Sequence, residues 1–119
     1  MTKTIKTYPV ITLCGSTKFK REFIEIQKQL TLKGNIILTV GLFGHSGDDE
    51  VWQGDAKEMM DDMHKARIDM SDGIYVIDVG GYVGESTRSE IEYAHFVGKD
   101  VKYLSEDAEM QALLDRISC

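Results

Sequence analysis

Four short apolar runs, each followed by a polar turn and then by residues at helical spacing, constrain this chain more than any other feature. "YPVITLCG" (8–15), "NIILTVGLFG" (35–44), "GIYVIDV" (73–79) and "KDVKYL" (99–104) are rich in β-branched and aromatic residues and are short enough for strands. Most of them are apolar throughout instead of alternating, which is the pattern of strands covered on both faces. Between them, "STKFKREFIEIQKQLTLKG" presents Phe19, Phe23, Ile26 and Leu30 on one helical face. Ser16 or Thr17 can cap its start, and Gly34 can end it. "AKEMMDDMHKARIDM" (56–70) reads as a helix with Ala56, Met59, Met63, Ala66 and Met70 inward. A third helix is expected from about Thr87 to Val97, and a last one in "SEDAEMQALLDRI", opening at a Ser105 cap. Strand and helix thus alternate four times over. The expected fold is α/β: a parallel sheet of four to five strands with helices on both faces, a flavodoxin- or Rossmann-like three-layer arrangement.

The length of 119 residues fits a single domain over 1–119 and leaves much of the surface exposed, so a homodimer or higher homo-oligomer is expected. A net charge of −6 argues against nucleic acid polymers as partners, because those require basic stripes; Lys3, Lys6, Lys18, Lys20 and Arg21 form the sole loose basic cluster. The two cysteines, Cys14 in an apolar run and Cys119 at the end, do not make a disulfide framework. No apolar stretch has the length of a membrane span and the N-terminal residues lack an apolar signal core, so no membrane partner and a cytoplasmic setting are expected.

Ligands of parallel sheets bind beyond the carboxyl ends of the strands. This collects Gly15–Thr17, Gly41–Asp49 and Asp78–Thr87 in one crevice. "CGST" and "GEST" each place glycine and hydroxyl residues at a strand-to-helix turn, so Gly15, Ser16, Thr17, Gly84, Ser86 and Thr87 are candidate ligand contacts, suited to a phosphorylated or polyhydroxyl molecule. Neither turn has P-loop spacing, and the dinucleotide glycine fingerprint is absent.

"GYVGESTRSEIEYA" (81–94) carries Glu85, Glu90 and Glu92. On a helical wheel at about 100° per residue, Ile91, Ala94, Val97 and Gly98 make an apolar arc. Glu92 falls opposite, with Arg88 and His95, and reads as solvated charge. Glu90 falls inside the arc, in the first turn, where a carboxylate needs a partner or a cavity. It is the candidate for chemistry. Glu85 either favours the helix N-terminus electrostatically or contacts a ligand hydroxyl. Asp78, ending the third strand, either projects into the crevice as a catalytic carboxylate or stabilises the glycine turn. His64 is either a packed histidine or a proton-transfer group. His45, with Asp48 and Asp49, lacks a further histidine or cysteine at ligand spacing, so no metal is expected. Cys14 reads as core, since no histidine is placed by sequence to activate it. Tyr82 and Trp52 can stack on a base or pack at a subunit contact.

"ITLCGST", "DMHKARIDMSDGIYVIDV" and "GYVGESTRSEIEYA" resemble the nucleoside 2-deoxyribosyltransferase-like family, over about residues 8–104. The Ser-Glu-Ile-x-Tyr-Ala segment is the most specific part, similar to the family's helix that bears the glutamate nucleophile. The resemblance implies a flavodoxin-like five-strand sheet, hence a short fifth strand near the C-terminus. It implies oligomeric enzymes that act on the N-glycosidic bond of 2′-deoxynucleosides or their 5′-monophosphates, without metal or cofactor. It places Glu90 as nucleophile and puts Asp78 close to a carboxylate that assists the leaving base. His64 stands where members often carry aspartate, with Asp61 and Asp62 just upstream. "CGST" and "GEST" resemble the loops that hold the 5′-phosphate in the monophosphate-hydrolysing branch. The expected activity is transfer or cleavage of the glycosidic bond through a covalent glutamyl-sugar intermediate, with a non-catalytic nucleotide-binding module as the alternative.

Overall fold

The computed structural model describes residues 7–117, so Cys119 and the Lys3 and Lys6 part of the basic cluster lie outside the described residues. The strands are β1 (Val10–Gly15), β2 (Ile36–Leu38), β3 (Gly73–Ile77) and β4 (Asp100–Tyr103), and the helices α1 (Lys20–Leu32), α2 (Ala56–Asp69), α3 (Glu85–Phe96) and α4 (Ala108–Ile117). All strand pairs are parallel, in the order β2-β1-β3-β4. The expected three-layer α/β fold is present.

Strand alternation divides the core. Leu13, Tyr75 and Ile77 point to one face, where Phe23 and Ile26 of α1 and Met110 of α4 cover them. Cys14, Ile74 and Val76 point to the other, against Ile68 of α2 and Ala94 of α3. Completely buried side chains of this size each contribute about 1.5–3 kcal/mol. The α1 face matches expectation: Phe23 and Ile26 are buried, with Phe19 and Leu30 packed beside them. Gly34 ends that segment with a φ of +92°, a conformation glycine adopts without strain.

Three expectations need correction. The second strand covers only 36–38, because β2 is an edge strand paired with Val10–Thr12 alone, and Gly41 at φ +77° turns the chain away. Among the described residues there is no fifth strand; the chain after β4 goes into α4. The inner face of α2 is also rotated from the methionine stripe. Met59 is 55% and Met70 68% exposed, with Met63 exposed beside them, while His64 and Ile68 are buried. Ile68, the bulkier and more apolar anchor, takes the place against the sheet, which turns His64, one helical turn earlier, into the interior. Among the described residues, no helix is long and apolar enough to cross a membrane.

The chain leaves β1 toward β2 on one side and returns to β3 on the other. Loops therefore diverge above the carboxyl ends of β1 and β3, opening a crevice at this switch point.

Candidate active site

A cavity of about 390 Å³ lies at the switch point, within the size range of small-molecule sites. Its walls come from the three segments expected to converge. Gly15, Ser16 and Thr17 follow β1, and Gly84, Glu85, Ser86 and Thr87 open α3; all seven line it. Glu90 and His64 line it too, from α3 and α2. His45, Trp52 and Tyr82 form the outer wall.

The β1–α1 turn is held by its own polar groups. Ser16 Oγ accepts from the Lys18 backbone N–H at 3.4 Å. The Thr17 hydroxyl accepts from the His45 N–H at 3.2 Å and lies 2.8 Å from His45 Nδ1, so it links the two loops. The His45 ring meets Trp52 edge-on at 5.0 Å, and the Trp52 indole N–H donates to the Gly44 carbonyl at 3.1 Å. Gly44 permits this packing, since a Cβ there would lie 2.3 Å from Val51 Cγ1. At the rim, Lys18 Nζ stands 3.5 Å from the centroid of the Tyr82 ring.

Glu90 behaves as the wheel requires. Its side chain is only 13% exposed, and burial pushes its carboxyl up from the ordinary 4.5 to about 7. A hydrogen bond from Cys14 acts in the opposite direction, and the Asp61 charge adds to the rise. Glu92, Arg88 and His95 are all solvent-exposed, as expected of the opposite side of α3.

His64 is buried, with both ring nitrogens engaged. Arg67 Nη1 lies 3.1 Å from Nδ1, and Cys14 Sγ lies 3.4 Å from Nε2. Glu90 Oε1 is 3.8 Å from Nε2, just beyond hydrogen-bond reach. Burial, then the Arg67 charge, lowers the imidazole from 6.5 to about 4, so it is neutral near pH 7. A histidine does accompany Cys14 after all, fifty residues away in sequence. The thiol is nevertheless not activated: burial, then the Glu90 charge, raises its pKa well above the usual value.

Asp78 does not project into the crevice. It is buried on the β4 side, where Oδ1 accepts from the Ser105 N–H at 2.8 Å and Oδ2 from the Ser105 hydroxyl at 2.6 Å. These bonds tie the end of β3 to the turn after β4, and Asp78 is not among the residues that line the cavity. Asp61, one turn from His64 on α2, joins Glu85 and Glu90 as a carboxylate that lines the cavity, and it is paired with Lys57 at 3.0 Å.

Among the described residues, one group has metal-ligand character: a donor atom each from Cys14, His64 and Glu90, all within 4.8 Å of one another. One feature opposes a metal there: a ligating histidine needs an acceptor on its other nitrogen, whereas Arg67 offers only N–H donors. His45 belongs to no such cluster; Asp48, its neighbour, accepts the Phe43 N–H at 2.7 Å to shape the loop.

Sequence reasoning missed Arg67, Met60 and Lys57 as cavity residues. A wheel anchored on Ile68 contains the signal: His64 and Met60 lie one and two turns back from it, with Arg67 alongside. No family model matches the chain, and no curated protein matches it.

Proposed function

We propose that this chain breaks the N-glycosidic bond of 2′-deoxynucleosides or their 5′-monophosphates, with Glu90 as nucleophile. The observation that carries the reading is a nearly buried carboxyl in the cavity wall, between two glycine-hydroxyl turns, in surroundings that keep it close to half-ionised at neutral pH. A carboxylate that is poorly hydrated and ionises near working pH is suited to attack.

In the first step a Glu90 carboxylate oxygen forms a bond to C1′ of the sugar. The C1′–N bond breaks and its electron pair goes to the ring nitrogen of the base, which takes a proton from solvent. The result is a glycosyl ester and a free base. In the second step a base nitrogen, or water, attacks C1′ on the face that the first base left. The ester bond breaks, the carboxylate is regenerated, and the attacking group gives up its proton. Two displacements give net retention, the logic of retaining glycosidases. Developing positive charge at C1′ is stabilised by the carboxylate in a poorly solvated wall.

Ser16 and Ser86, with the N–H groups that open α3, fit the 5′ end of the ligand. Thr17 contributes through His45, which its hydroxyl holds. Trp52 and Tyr82 offer aromatic surface for the base. His64 sits against Glu90 and acts on the carboxyl rather than on the leaving base. The exposed Met59, Met63 and Met70 stripe supports the self-association that forms part of this reading, and sedimentation tests it. The buried Cys14 thiol fits a reducing, cytoplasmic setting.

The test is incubation with each deoxynucleoside and its 5′-monophosphate, with and without a free acceptor base, followed by chromatography of the released base. Base exchange that vanishes in Glu90→Ala supports transfer; release only into water supports hydrolysis. Nucleotide-induced thermal stabilisation without turnover would replace the enzyme reading with a binding module.

A further inference from the structure

Four side chains on three elements meet at the cavity wall, and the chemistry of each fixes the direction of its hydrogen bonds. A guanidinium has donors and no acceptor, so Arg67 Nη1, 3.1 Å from His64 Nδ1, donates to it. Neutral His64 then carries its one ring proton on Nε2, facing Cys14 Sγ at 3.4 Å, with the neighbouring Leu13 backbone a further hydrogen-bond partner of the ring. With its sulfur accepting there, the thiol turns its own proton toward the Glu90 carboxyl, an oxygen of which lies within 4.8 Å of Sγ. The Arg67 end is itself anchored, because its carbonyl accepts the Thr12 hydroxyl at 3.1 Å.

We infer that Arg67, His64 and Cys14 form a one-way hydrogen-bond chain ending on Glu90, which holds one carboxylate oxygen and leaves the other facing the cavity. The three are positioning residues for Glu90, and their catalytic importance rests on the nucleophile reading above. Cys14 is fully buried and His64 is 4% exposed, so water does not compete for the central bond between them and its polarity is preserved. The other charged groups facing Glu90 come from α2: Asp61 opposes its ionisation, and Lys57 and Lys65 favour it. Burial, and then the Arg67 charge, explain why His64 stays neutral at 3.8 Å from a carboxylate instead of forming an ion pair with it. Without Arg67, Nδ1 takes the ring proton and Nε2 becomes an acceptor. The thiol then turns its proton to Nε2, and Glu90 loses its donor.

Two readouts on the full-length protein test this without turnover. Nitrogen-15 NMR of labelled histidine reports the His64 tautomer, with the signal identified by its loss in His64→Asn. Carbon-13 NMR reports the Glu90 carboxyl, identified by its loss in Glu90→Gln. The expected tautomer at neutral pH is Nε2–H, kept in Arg67→Lys and lost in Arg67→Met. Cys14→Ala should raise the Glu90 titration midpoint by about one pH unit, because a donor to the ionised form is removed, and Cys14→Ser should restore it. An Nδ1–H tautomer at His64 in the wild type overturns the chain. A Glu90 midpoint unmoved in folded Cys14→Ala overturns its last link. Should the chain behave as described while Glu90→Gln still releases base, the nucleophile reading fails and the chain stands.

Discussion

Replacing Glu90 by glutamine removes the carboxyl's ionisation while keeping its shape, and so isolates the free energy of holding a charge in the cavity wall. The carboxyl ionises near 4.5 in an unfolded chain and near 7 in the fold. Its folded form therefore holds the proton more tightly, and its contribution to stability is fully present below about pH 4.5 and lost as pH rises through about 7. At about 1.36 kcal/mol per pH unit, the loss reaches roughly 3 kcal/mol at about pH 8, about 1.4 at pH 5.5 and near zero at pH 4. Glu90→Gln should escape it. Relative to their difference at about pH 4, the variant should gain roughly 3 kcal/mol over the wild type by about pH 8, or about 10 °C in melting temperature. His64 contributes with the opposite sign, losing stability as pH falls from 6.5 toward 4. Both proteins share that change, so the difference between them isolates the carboxyl. Urea unfolding across the pH range measures it. A difference that stays flat from about pH 4 to about pH 8, or a wild type that gains on the variant as pH rises, would refute the picture of a desolvated, proton-retaining Glu90.

The same group sets the expected activity profile: base release should rise with pH through a midpoint near 7, since only the ionised carboxylate attacks; a profile flat across neutral pH counts against Glu90 as nucleophile. Asp78→Asn should weaken the fold by about 1–2 kcal/mol through its Ser105 bonds, with base release per folded molecule unchanged; a loss of about 10²-fold in turnover would restore a catalytic role. Gly44→Ala should cost about 1–3 kcal/mol and displace the single tryptophan, seen as a red shift of its fluorescence, because the new methyl would lie 3.0 Å from the Trp52 ring. An unshifted spectrum would mean that the loop accommodates the methyl elsewhere.

The layer order and the place of the crevice were legible because strands covered on both faces leave continuous apolar runs, and because ligand loops follow from topology. Glu90 was legible because a helix converts spacing into direction: a charge among Ile91, Ala94 and Val97 has to face the sheet. On α2 the same reasoning failed. Met59, Met63 and Met70 made an apolar stripe that competed with the correct face, and methionine tolerates solvent well enough to sit on the wrong one. Burial of His64 depends on Cys14 and Arg67, and the first of these is brought near by the fold alone. Asp78 was misplaced for a related reason. A carboxylate at a strand end can turn to either neighbouring strand, and the Ser105 hydroxyl that draws it away lies beyond any local pattern.

The two sides of the cavity differ in construction. Glu90, His64 and Cys14 stand on helix and strand, whereas His45 and Trp52 belong to residues 39–55, which hold only 3-10 turns between β2 and α2. Such a loop tolerates insertion and exchange far better than packed elements. One wall can therefore diversify while the other stays fixed, and a lineage built on this chain can change which molecules it admits without rebuilding the carboxyl that would act on them. Loop grafting over 39–55 is accordingly the natural route to altered ligand range.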